Sequence, residues 1–150
     1  AVDTYWKANR LAYELYVLAE YGEGDLGRTV ALYQNRRLLS NYGKAYLAMA
    51  LNILAPEEKT RVDGLLSDLT SAAIVSATGA HWEEETIDYW TMNTNTRSTA
   101  IVLDAFARLS PSQGEGRGGV VSVDLRASAG PPQAGRSPSG GRRRRRLGAR

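Results

Sequence analysis

The stretch Ser40–Leu54, SNYGKAYLAMALNIL, limits what this chain can fold into more than any other. Wound as a helix, it puts Tyr46, Leu47, Ala50, Leu51, Ile53 and Leu54 on nearly every side. A helix that is apolar all round must be covered all round. The stretch therefore predicts an inner helix wrapped by other helices.

The flanking sequence supplies those helices. Asp3 or Thr4 can cap a first helix running to about Tyr21, with Leu11, Leu15 and Leu18 at i, i+4 and i+7 and Ala12, Tyr16 and Ala19 beside them. Gly22 and Gly24 end it, since glycine takes the left-handed conformation after a helix without steric cost. Asp25 opens a more polar helix through about Leu39, striped by Leu26, Val30, Tyr33 and Leu38. Ser40 caps the inner helix. Pro56 suits the first turn of a fourth helix, with Glu57 and Glu58 at its positive end and Val62, Leu65, Leu66 and Leu69 as its buried stripe. Residues 72–77, AAIVSA, read as a helix end or a short strand, and His81–Glu85 as an edge segment or loop. Asn93 or Thr94 opens a fifth helix, Asn95–Leu109, with Ile101, Val102, Ala105, Phe106 and Leu109 on its core side.

Three stretches echo one another: LAYELYVLAEYG, KAYLAMALNILAP and TAIVLDAFARLSP. Each is an apolar helix rich in small residues that ends in a turn signal. Two more polar helices lie between them. Such alternation of inner and outer helices defines stacked helical hairpins, as a solenoid or a closed α/α barrel. The fold class expected is all-α.

The net charge of +3 joins two unlike regions. Residues 1–110 carry 10 Lys/Arg and 14 Asp/Glu, whereas residues 111–150 carry 9 Arg and 2 acids. The second region also holds 9 of the 15 glycines and 4 of the 5 prolines, and ends GRRRRRLGAR. With no hydrophobic period and few apolar anchors, 111–150 is expected to be a disordered Arg/Gly/Pro-rich tail behind a folded 1–110. The run Arg142–Arg146 can attract phosphates, but no aromatics interleave with it for base stacking. A solvated tail is the stronger reading, and no nucleic-acid partner is assigned.

The chain has no cysteine, which excludes disulfides and thiol chemistry within it. No apolar run is long enough to span a bilayer, so no membrane contact is assigned to this segment. Its first residues lack the basic and apolar regions of a signal peptide and open close to a helix, as expected of a piece of something longer.

The chemistry-bearing residues are few. His81 is the only histidine, and a catalytic or ligating role would need partners. Glu83, Glu84 and Glu85 are consecutive and point different ways, so a surface or packing role is preferred for His81. Asp88, Tyr89, Trp90, Asn93, Asn95 and Arg97 can line a sugar or peptide groove; a loop that packs its aromatics while Asn caps a helix is preferred. Tyr13, Tyr16, Tyr33, Tyr42 and Tyr46 fall at helical spacings, as in the tyrosine-lined inner helices of glycoside-processing barrels, but core rings are the commoner use. Glu14 and Asp104 sit on inner-type helices, with Asp104 expected to face outward, so no facing carboxylate pair is assigned for glycoside hydrolysis. No catalytic, cofactor-binding or metal-ligating residue is assigned, and the chain is not expected to be an enzyme.

Taken in order, SNYGKAYLAMAL, SAAIVSATGAHWEE and WTMNTNTRSTAIVLDAFARLSP resemble the thioester-containing domain of the alpha-2-macroglobulin family, and most of all its bacterial branch. The resemblance runs from about Leu11 to Pro111. It implies an α/α toroid of inner and outer helices, of which this chain would be the C-terminal part. It also implies a broad-spectrum endopeptidase inhibitor in the periplasm, cell envelope or extracellular space. In that family a protease cuts a bait region, the molecule changes shape, and an exposed Cys–Gln thioester traps the protease, often covalently. The partners implied are proteases, met through the full-length parent, and other domains of the parent. The family's Cys-x-Glu-Gln motif lies upstream of the matched region, so no thioester residue is carried over here. Family members that transfer the acyl group through a histidine carry it in an earlier segment than His81. Members also continue past the last helix into a further helix and a Gly-Gly-aromatic…Thr-Gln-Glu-Thr segment. The tail in its place is expected to be an out-of-frame or misassembled gene end; codons in frame with a normal stop on resequencing would remove that expectation. The alternative function is an α/α-barrel enzyme fragment, such as a glycan-processing enzyme. An acidic pair upstream, where the family has its Cys motif, would favour it.

Overall fold

The computed structural model describes residues 4–86 and 92–110. The described residues form α1 (Tyr5–Glu20), α2 (Leu26–Gln34), a 3-10 turn (Arg36–Leu38), α3 (Asn41–Leu54), α4 (Lys59–Ser71), an antiparallel hairpin of β1 (Ile74–Ser76) and β2 (Gly79–His81), and α5 (Asn95–Leu109). The described part is thus mainly helical. The expected tail from Pro111, and Asp88, Tyr89 and Trp90, lie outside the described residues.

The helix α3 is an inner helix, covered on most sides but not all, since Ile53 near its end is exposed. It packs against α1, α2, α4 and α5. It also divides the apolar interior in two. Leu47, Ala48 and Leu51 face a core shared with Ala8, Ala12 and Leu15 of α1, Leu32 of α2, and Val62 and Leu65 of α4. Ala45 and Met49 face a second core with Leu69, Trp82, Val102, Ala105 and Phe106. The small-residue helices α1 and α5 lie against α3, and the more polar α2 and α4 touch it as well.

Two expected stripes are turned in part: Leu15, Ala12 and Ala19 of α1 are buried, and Val30, Tyr33 and Leu38 pack on the core, but one leucine of each stripe faces out. On α1 the buried face is Ala8, Asn9, Ala12, Leu15 and Ala19, while Leu18 is exposed. Alanines let the α1 and α3 backbones approach closely, so they win the interior over a leucine that would hold the helices apart. On α2, Thr29 and Leu32 are buried and Leu26 is exposed. A buried threonine needs a partner, and Thr29 Oγ1 donates to the Asp25 carbonyl at 2.7 Å.

Three boundaries also differ from expectation. The second helix stops at Gln34 rather than Leu39, because the tighter 3-10 turn brings Leu38 and Leu39 onto the core. Pro56 lies in a turn, not in the first turn of α4, which begins only at Lys59. Buried Ala55 anchors that turn, and its carbonyl accepts from Glu58 N at 3.0 Å. Residues 74–76 of AAIVSA resolve as strand, paired Ile74 to His81, Val75 to Ala80 and Ser76 to Gly79.

Other signals act as read. Thr94 Oγ1 accepts from Arg97 N at 3.2 Å and caps α5. Asp25 caps α2 in the same way through Arg28 N at 2.9 Å. Gly22, at φ 79°, takes the left-handed conformation after α1.

Candidate functional site

The segment His81–Glu84 leaves the hairpin and passes between the start of α3 and the start of α5. Trp82 is its anchor. The indole has no exposed surface, its Nε1 donates to the Leu69 carbonyl at 2.7 Å, and its ring stacks on Phe106 at 5.9 Å between centroids. Its backbone is held from both sides by one hydroxyl: Trp82 N donates to Thr99 Oγ1 at 3.0 Å, and Thr99 Oγ1 donates to the Trp82 carbonyl at 3.2 Å. A wide aromatic ring brings much apolar area into the core, and its one polar atom is satisfied there.

Two residues on, Glu84 does what Ser40 was expected to do. Its carboxylate accepts from Asn41 N at 3.0 Å and Tyr42 N at 3.1 Å, closing the first turn of α3 from a segment 42 and 43 residues away in sequence. A carboxylate is favoured there by the partial positive charge of unpaired helix amides. Asn41 Nδ2 returns a bond to the Glu83 carbonyl at 3.0 Å, and Glu84 N donates to Asn95 Oδ1 at 3.0 Å. Glu84 is therefore not one of three equivalent solvated acids.

Ser40 occupies the cap position without capping, since its side chain is engaged elsewhere. Asn9, buried on α1, accepts from Ser40 N at 3.0 Å and donates to Ser40 Oγ at 2.9 Å. Beyond Asn95, Asn93 is also buried: its Oδ1 accepts from Ser98 Oγ at 3.0 Å and its Nδ2 donates to the Thr86 carbonyl at 3.4 Å.

His81 stands outside this junction. Its side chain is 46% exposed and its Nε2 lies 3.4 Å from Glu83 Oε1. Among the described residues no group of three or more His, Asp or Glu side chains is placed to hold a metal ion. Glu14 and Asp104 are both exposed and ion-paired on their own helices, with Arg10 at 2.7 Å and Arg108 at 3.0 Å.

The tyrosines gather on the side of α3 between α1 and α5. Tyr46 stacks on Tyr16 at 5.2 Å and meets Tyr13 edge-on at 5.3 Å and Tyr42 edge-on at 6.5 Å. Arg97 lies 5.4 Å from the Tyr42 ring centroid and also bonds the Tyr46 side chain. Burial pushes the Tyr16 hydroxyl up to about 12, helped by its hydrogen bond to Glu20. Burial raises Tyr46 too, while Arg97 pulls it back. Arg108 ties the two flanking helices together through Glu20 at 3.2 Å. Tyr33 is elsewhere, under the guanidinium of Arg36 at 4.5 Å.

The sequence reading missed Asn9, Thr99 and the capping role of Glu84. Their partners lie 17 to 43 residues away, so no local pattern marks them. No protein family, no curated protein and no solved structure matches this chain.

Proposed function

We propose that this chain is the C-terminal part of a thioester-containing domain of a bacterial alpha-2-macroglobulin-like inhibitor, a broad-spectrum protease trap of the cell envelope or exterior. In this reading its five helices are an arc of an α/α toroid. Its role is to supply scaffold around a thioester made upstream, and its partners are proteases and the other domains of the parent. What supports the reading is the junction just described. The three sequence motifs that carry the resemblance are far apart in the chain, yet they meet there: Asn41 and Tyr42 of the first, Trp82 and Glu84 of the second, Asn95, Thr99 and Phe106 of the third. Residues that recur together because they brace one another are expected to touch.

Scaffolding matters to a thioester because its acyl carbon survives only while water and amines are kept away. The test belongs in the full-length parent. A protease added to it is expected to lose its action on a large protein substrate and keep its action on a small peptide, as a caged protease does. Labelled amine is expected to be incorporated, and Phe106→Ala is expected to speed spontaneous loss of that reactivity by letting water in. A parent that leaves protein cleavage untouched, or that carries an acidic pair in place of the Cys motif and hydrolyses glycans, overturns the reading.

A further inference from the structure

We propose that the groove between the N-terminal half of α1 and α2 is a docking site for an acidic, extended peptide segment with one apolar side chain. The groove encloses about 630 Å³ and is lined by Trp6, Lys7, Arg10, Leu11, Arg28 and Leu32, among others. Its floor is apolar: Leu32 is buried and Leu11 half-buried. Its rim is cationic among the described residues, with Lys7, Arg10 and Arg28 around one acid, Glu14. Glu14 is engaged by Arg10 at 2.7 Å, and among the described residues Arg28 has no acidic partner. That rim belongs to a region, 1–110, in which acids outnumber bases by 14 to 10, so among the described lining residues the charge balance of the groove runs opposite to that of the region. Trp6 stands at one end with 44% of its surface exposed and Lys7 beside its ring at 5.6 Å.

Charge complementarity selects an anionic occupant, and the apolar floor with an exposed tryptophan selects one that also brings an apolar group. Trp and Arg are the residues that most often anchor protein interfaces. From Trp6 to Glu14 the groove runs about 12 Å along α1, the reach of about four extended residues. A phosphate clamp fits less well, because Arg28 N, at the positive end of α2, already donates to the Asp25 carboxylate at 2.9 Å. A flat anionic membrane cannot reach a floor set between two helices.

Binding is read by fluorescence anisotropy on the full chain, with the labelled peptide DELDE as probe. The neutral NQLNQ and the side-chain-free DEGDE are expected to bind at least about fivefold more weakly, since one removes the charge and the other the anchor. Arg28→Glu and Trp6→Ala are each expected to weaken DELDE by about five- to tenfold, and added salt to weaken it further. Unchanged helical circular dichroism shows that a variant still folds; should Arg28→Glu unfold, Arg28→Gln and the salt series carry the same test. Failure of DELDE to bind, equal binding of NQLNQ, or indifference to both variants overturns the proposal. So does equally tight binding of inorganic phosphate or of phosphatidylserine vesicles, which would make the groove a site for those instead.

Discussion

Asn9 fills the space that Gly43 leaves open: a Cβ at position 43 would stand 2.2 Å from Asn9 Oδ1. Asn9 sits on α1 and Gly43 one turn into α3, so the missing side chain lets a buried carboxamide reach the backbone and hydroxyl of Ser40. The two helices are joined where they cross by a polar clasp inside an apolar core.

Gly43→Ala is therefore expected to destabilise the chain by about 2–4 kcal/mol, since Asn9 must leave and a buried polar group loses its partners. Asn9→Ala combined with Gly43→Ala is expected to cost less than the two single changes added, because the clash is gone. Urea denaturation of the four proteins checks both statements. Strict additivity would show that the two residues do not meet.

Glu84→Gln removes a charge from the N-terminus of α3 and is expected to cost about 1 kcal/mol, with Glu84→Ala costing more. The more specific readout is local. Amide exchange at Asn41 and Tyr42 is expected to accelerate in Glu84→Ala relative to amides in the middle of α3. Uniform acceleration along the helix would mean that Glu84 does not cap it.

Trp82→Phe keeps much of the apolar volume but leaves the Leu69 carbonyl without its donor, so a loss of about 2–3 kcal/mol is expected. Phe106→Ala is expected to cost about 3–5 kcal/mol, the usual range for emptying a buried phenylalanine site. The double variant is expected to fall short of the sum by about 0.5–1.5 kcal/mol, the share of the stacked pair itself. Thermal or chemical melts of the three variants give the cycle.

His81→Ala is expected to change stability by less than about 0.5 kcal/mol, as its bond to Glu83 is exposed. In the parent protein it is expected to leave amine incorporation within about twofold, since a group without a catalytic role contributes little to the barrier. A large loss of reactivity with unchanged stability would make His81 the acyl-transfer residue.

Tyr16 gives a pH signature. Its folded-state value is raised from 10.0 to about 12 by burial first and the Glu20 hydrogen bond second. A raised value means that the neutral phenol is the form the fold prefers. The stability it contributes is whole below pH 10.0 and is lost as the pH climbs through about 12. Phenolate absorbance is expected to show a late-titrating tyrosine that Tyr16→Phe removes. A titration unaltered by that change would refute the assignment.

The amino-acid sequence by itself determined that α3 is the inner helix, because apolar groups on most of its sides must be covered, although Ile53 near its end stays exposed. It also determined the approximate span of α5, the cap at Asp25, and Asn93 or Thr94 as the cap of α5, of which Thr94 is the one; these hydrogen bonds reach only three residues along the chain. Only the tertiary structure decided which face of α1 is buried. Leu15, Ala12 and Ala19 of the expected face are buried, but the closeness of α1 to α3 is a property of the pair, and it turns Ala8 and Asn9 inward and leaves Leu18 exposed. The same holds for the first turn of α3: Ser40 has the right chemistry to cap it, yet Asn9 claims that side chain and Glu84 takes its place. Local signals are legible when both partners lie within one turn of chain; which distant group competes for a polar atom is settled only when the helices meet.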